Sequence, residues 1–107
     1  FDCVMPTRNG RNGMLFTRNG VLNIKNKQWA DDHGPLDAAG NCWVDKSYSK
    51  AFVRHLFQSG ELLGPQIASL HNIGFYLDLM TEARIRILDG SFTTWKAQLL
   101  PALKQRM

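Results

Sequence analysis

The sequence predicts an α/β fold, and three observations carry the prediction. Phe1-Asp2-Cys3-Val4-Met5 has the apolar character of a strand interior; an Arg-Asn-Gly turn separates two apolar quartets; and beyond residue 45 the apolar residues recur at helical spacing. Composition agrees with a folded domain. Of 107 residues, 44% are hydrophobic and 21% charged, which excludes a disordered chain, and no apolar run approaches the roughly 20 residues of a membrane span. The opening residues show no secretory pattern, and Cys3 and Cys42 alone make no disulfide framework, so a reducing, cytoplasmic compartment is expected. Because the chain opens on Phe in mid-strand, it is expected to be cut from a longer one.

The elements follow in order. Of the three Arg-Asn-Gly triplets, the first two, Arg8 to Gly10 and Arg11 to Gly13, come after Pro6 and predict a polar loop. The third, Arg18 to Gly20, lies between Met14-Leu15-Phe16-Thr17 and Val21-Leu22-Asn23-Ile24 and predicts a hairpin with a two-residue loop. Residues Trp29 to Asp45 are rich in Asp, Gly, Pro and Asn without periodicity, as turns are. Tyr48, Ala51, Phe52, His55 and Leu56 then share a helical stripe, with Ser47 as N-cap and Gly60 as stop. A second helix is expected from near Pro65 to Gly90 through Ile67, Leu70, Leu77, Met80 and Ile87, unless Gly74 bends it. A third, from about Phe92, aligns Trp95, Leu99 and Leu103, and Pro101 should kink or end it.

Charge locates a candidate site. Up to residue 28, Arg8, Arg11, Arg18, Lys25 and Lys27 face Asp2 alone, whereas eight basic and eight acidic residues follow, so the whole excess of +4 lies in the first quarter. Arg mixed with Asn and Gly suits contact with phosphate, because guanidinium forks match its oxygens and glycine lets backbone N–H groups approach. The competing explanation is a merely solvated hairpin. Asp2 precedes this segment. A carboxylate at the carboxyl end of a barrel strand, ahead of a long loop, occupies a common catalytic position, although such groups also serve to cap turns.

Phe1-Asp2-Cys3-Val4-Met5-Pro6-Thr7-Arg8-Asn9-Gly10-Arg11-Asn12-Gly13 closely resembles the nucleophile block of bacterial tRNA-guanine transglycosylases, also called queuine tRNA-ribosyltransferases. The resemblance continues through Asn23-Ile24-Lys25-Asn26, Pro35-Leu36-Asp37, Tyr48-Ser49-Lys50-Ala51, His55-Leu56, Gly60-Glu61-Leu62-Leu63-Gly64 and His71-Asn72, nearly the whole chain. It implies the carboxyl-terminal part of an irregular (β/α)8 TIM barrel with an inserted, hairpin-containing subdomain followed by helices. Residues 1–12 would hold the last barrel strand and an RNA-recognition loop, 13–64 a degenerate zinc-type subdomain, and 65–107 the terminal helices.

The resemblance also implies an activity: exchange of guanine at the anticodon wobble position for a 7-deazaguanine precursor of queuosine. Asp2 would be the nucleophile, forming a covalent ribosyl intermediate, and Thr7, Arg8, Asn9, Gly10 and Arg11 would recognise the wobble nucleotide and its neighbours in the tRNA anticodon loop. The base pocket and a second aspartate, the proton acceptor, would lie outside this chain, leaving the fragment inactive alone. The helix carrying Tyr48, Phe52 and His55 would contribute to a homodimer interface, unless that stripe faces the chain's own core.

Family members usually hold a structural zinc with a Cys-x-Cys-x-x-Cys segment and a later histidine. The aligned stretch here is Gly40-Asn41-Cys42-Trp43-Val44-Asp45, with His71 downstream. Two of three cysteines are missing. Cys42 and His71 make half a site, and Asp45 would bring it to three ligands where structural zinc takes four, so loss of the metal, and no cofactor, is expected. Two other identities stand beside the enzyme: a non-catalytic RNA-binding subunit of a transglycosylase heterodimer, which would have no need of Asp2, and an archaeal-type enzyme, for whose added RNA-binding domains the short carboxyl end leaves no room.

Overall fold

The hairpin forms where the triplet arithmetic places it. In a computed structural model describing residues 3–107, strands β1 (Met14–Thr17) and β2 (Gly20–Asn23) pair antiparallel, with Leu15 opposite Leu22 and Thr17 opposite Gly20. Side chains alternate, so Leu15 and Leu22 are buried together on one face. The loop consists of Arg18 and Asn19, and Gly20 alone takes positive φ, +130°. Glycine is required there twice over, since a Cβ would also collide with the Gln105 carbonyl. That carbonyl accepts from Val21 N at 2.8 Å, and Met107 N donates to Val21 O at 3.0 Å, so the chain's last residues line the outer edge of β2.

Ahead of the hairpin the structure departs from expectation. Cys3 and Val4 are irregular, and the expected loop is a helix, α1 (Met5–Arg11). Phe1 and Asp2, the rest of the expected strand, lie outside the described residues. Pro6 suits a first helical turn, but Asn9 and Gly10 are poor helix formers, so the cause is tertiary. Gly10 rests on the backbone of Ser69, where a Cβ would lie 2.9 Å from the Ser69 nitrogen. Only a helix without a side chain at that point can lie this close. Within residues 5–13 positive φ occurs only at Gly13, at +85°, where the chain turns into β1.

The irregular segment serves the next helix. After a 3₁₀ turn at Lys27–Trp29 come two helices, α2 (Trp43–Ser47) and α3 (Lys50–Gln58). Ser47 ends α2; the N-cap of α3 is Ser49, whose hydroxyl accepts from Phe52 N at 3.1 Å. Gly34 O and Asp32 O accept from Lys50 N and Ala51 N, satisfying the next free donors of that helix. The buried face of α3 is Val53 and Leu56; Phe52 and His55 point outward.

Helix α4 (Leu63–Leu88) is the axis of the molecule and α5 (Phe92–Lys104) folds back on it. At 26 residues α4 is about 39 Å long. The buried stripe is Gly64, Ile67, Ala68, His71, Asn72 and Phe75, while Leu70, Leu77, Met80 and Ile87 are exposed. Both sets recur at helical spacing, and the inner one carries the polar residues. Pro101 does not end α5, which runs on to Lys104, and Trp95, Leu99 and Leu103 are half-buried as expected. The core sits where the hairpin, α2, α3 and the first half of α4 meet, around Leu15, Leu22, Ile24, Val44, Val53 and Ile67.

Candidate functional site

Helix periodicity places Arg8 and Arg11 on one face of α1, one turn apart, and both are exposed. Among the described residues no carboxylate pairs with either. Thr7 and Asn9 are half-buried; Thr7 Oγ1 donates to Val4 O at 3.2 Å, and Gly10 is buried against α4. The five residues are therefore brought together, but divide into two exposed cations and a base that seats them. Asp2, the expected nucleophile, lies outside the described residues. Just after it the chain runs beside α4, where burial and, secondarily, Cys3 push the Tyr76 phenol above its usual value.

Arg18, in the hairpin loop, behaves differently. Arg18 pairs with Asp78 at 3.5 Å and Glu82 at 3.3 Å, and its guanidinium lies 5.7 Å from the centre of the Phe75 ring. Asn41 Nδ2 donates to the same Asp78, and Trp95 Nε1 to Glu82 at 2.8 Å. Arg18 thus ties the hairpin to α4 and α5 and is spent inside the molecule.

A buried polar cluster supports the seat of α1. Asn72 Oδ1 accepts from Phe16 N at 3.1 Å, and Asn72 Nδ2 donates to Met14 O and Pro6 O at 2.9 and 3.0 Å. One side chain thereby fixes β1 and the entry to α1 against α4. Next to it, His71 Nε2 bonds Phe16 O at 2.8 Å and His71 Nδ1 contacts the Asp45 carboxylate. Sequence reasoning missed the role of Asn72. Its signal is the stripe Ile67, Ala68, His71, Asn72, Phe75, whose spacing of three and four encloses two polar residues among apolar ones.

The residues at the zinc-aligned positions do not fit that metal. Gly40 has no ligating group, Asp45 and His71 are bonded to each other, and Cys42 Sγ faces Leu70 O at 3.8 Å and packs on Gly74. Among the described residues no group of three or more His, Cys, Asp or Glu could hold a metal ion.

An aromatic ladder marks a second surface. Tyr48 and Phe52 stack with ring centres 5.6 Å apart, and Trp43, 60% exposed, lies 6.1 Å from Tyr48. His33, Pro35, Lys46 and Ser49 border the open groove beside it. No helix of the described residues is long and apolar enough to cross a membrane.

The family model described as queuine tRNA-ribosyltransferase matches residues 1–105. The queuine tRNA-ribosyltransferase of Solibacter usitatus is 55% identical over 91 residues, covering 85% of this chain and 24% of that protein. That of Herminiimonas arsenicoxydans is 49% identical over 98 residues, 92% of this chain and 26% of its own length. That of Neisseria gonorrhoeae is 47% identical over the same span. The chain therefore covers about a quarter of the length of the curated relatives it matches. With the match running through the helix that bears Arg8 and Arg11, the hairpin and all the later helices, the chain belongs to the queuine tRNA-ribosyltransferase family.

Proposed function

We propose that this chain is the carboxyl-terminal part of a cytoplasmic tRNA-guanine transglycosylase, a pentosyltransferase built on a (β/α)8 barrel, which replaces guanine at the wobble position with a 7-deazaguanine precursor of queuosine. The observation that carries the proposal is the pair of exposed guanidinium groups on α1, without a carboxylate partner among the described residues, in the segment that follows Asp2 directly in sequence. Such groups hold phosphates or base edges of an unpaired anticodon loop, whose target base must leave the stack to react.

The chemistry asks for a carboxylate. Asp2 attacks ribose C1′ as the bond from C1′ to guanine N9 breaks; the electron pair leaves on guanine, which takes up a proton from a group outside this chain, and an acyl-linked ribosyl ester forms. The incoming base then attacks C1′ through its own N9, the ester bond breaks, Asp2 is returned as carboxylate, and the N9 proton passes to a base outside this chain. Two modest barriers replace one high one, as in retaining glycosidases. An Asn at this position supplies neither the charge nor the ester. The deazaguanine pocket lies outside this chain, so the 107-residue segment alone is inactive. The ladder of Trp43, Tyr48 and Phe52, exposed at Trp43 and Phe52 and half-buried at Tyr48, contributes to a homodimer.

The test is trapping. The full-length protein incubated with anticodon stem-loop RNA should give a denaturant-resistant adduct, and Asp2→Asn should bind the RNA yet give none. An adduct that survives the substitution removes Asp2 from the nucleophile role.

A further inference from the structure

The Asp45–His71 contact is the least accessible pair of ionisable groups among the described residues, at 2% and 1% exposure. Neither group reaches solvent, which rules out proton exchange with a substrate and turns attention to structure. A lone carboxylate or imidazolium at this depth is costly, and only a partner makes it tolerable. Proton counting defines the pair. His71 Nε2 faces the Phe16 carbonyl, an acceptor, so Nε2 carries a hydrogen and donates. Contact between Nδ1 and a carboxylate oxygen then requires one further proton between them. That proton stands at the ring nitrogen which would otherwise offer a lone pair to a metal.

The neighbours are shaped around this arrangement. A Cβ at Gly40 would collide with the Asp45 carboxylate, so the absence of a side chain at one aligned ligand position makes room for the oxygens at another. Leu36 N donates to Asp45 O at 3.2 Å, and Gly40 N to Asp37 O at 3.0 Å, folding the segment from 36 to 45 over the carboxylate. Through Asp45, His71 and Phe16 O, three stretches distant in sequence meet at one point: the irregular segment, α4 and β1. Fastening separate loops at a point is what a structural zinc does.

We propose that the buried Asp45–His71 pair replaces the structural metal of this subdomain, and that Gly40 and Asp45 act together to make the replacement possible. The claim is independent of the catalytic reading, since each of its readouts concerns metal content or unfolding. The full-length protein, expressed with zinc in the medium, should unfold at the same midpoint with and without a chelator, and added zinc should not raise that midpoint. Zinc that is lost on His71→Ala and whose chelation lowers the midpoint of the unaltered protein overturns the proposal.

Asp45→Ala should lower the midpoint by several degrees, whereas Asp45→Asn should restore most of it, because its amide N–H donates to a neutral Nδ1. An unchanged midpoint in Asp45→Ala overturns the clamp. Gly40→Cys/Asp45→Cys should convert the site, taking up about one additional zinc per chain and becoming chelator-sensitive. A folded double variant that takes up none shows that these positions do not stand in for metal ligands.

Discussion

Arg18 and the pair Arg8 and Arg11 come from the same kind of triplet and do opposite things. Arg18, with a side chain 15% exposed, spends its charge on Asp78 and Glu82, while Arg8 and Arg11 stand in solvent with no partner among the described residues. Charge counting along the sequence locates the basic cluster but cannot divide it, because the carboxylates that claim Arg18 lie 60 residues or more downstream on α4. The division makes a prediction. Arg8→Gln/Arg11→Gln in the full-length protein should reduce the slope of log affinity for anticodon RNA against log salt by about one to two, if both touch phosphate. Arg18→Gln should leave that slope alone and lower stability by about 1 kcal/mol. Binding isotherms across a salt series, paired with denaturant titrations, measure both; an unchanged slope in the first variant removes α1 from the phosphate contacts.

Among the elements, α1 shows why part of the fold is illegible in sequence. The hairpin, the long helix and the Gly60 and Gly90 stops are legible because each signal is local: alternation around a turn, a run at helical spacing, a glycine at positive φ. Helix α1 has a loop's composition and is helical because Gly10 lets its backbone lie on Ser69. The role of Asn72 and the pairing of Asp45 with His71 are hidden for the same reason, since the groups they bond lie far away in sequence. Gly10→Ala should therefore push α1 off α4 and destabilise by about 1–3 kcal/mol, although alanine is the better helix former. Equilibrium unfolding decides it, and a stabilised variant would show the crossing to be loose. The corner between α4 and α5 has its own signature. The Ser91 hydroxyl, then the Ser91 amide and, more weakly, Arg86, hold the Asp89 carboxyl below its ordinary value. A lowered folded value means its stabilisation is complete above the unfolded aspartate pKa of about 3.9 and is lost as pH falls through the folded one. Asp89→Ala should lower the melting midpoint at neutral pH, with the gap to the unaltered protein closing in acid; a gap that persists there would assign the effect to something other than ionisation.

At the scale of the whole molecule, the radius of gyration is 14.2 Å, against about 13 Å for a compact chain of this length. The excess reflects α4, whose first half is wrapped by α1, the hairpin and α3 and whose second half leaves Leu77 at 65% and Leu88 at 80% exposure, with Ile85 and Ile87 between them. A helix apolar on both faces belongs inside a larger packing arrangement. Produced alone, the chain should associate as concentration rises, and Leu77→Glu/Leu88→Glu should suppress association while shifting stability by less than about 0.5 kcal/mol, because those side chains touch little within the chain. Light scattering and thermal unfolding give the two readouts, and a chain that stays monomeric would mean the exposed faces are not adhesive. The same substitutions in the full-length protein identify the cover. If the rest of that chain packs on α4, they lower its melting midpoint at every concentration; if a second copy does, they reduce the molar mass and leave the midpoint of the monomer unchanged.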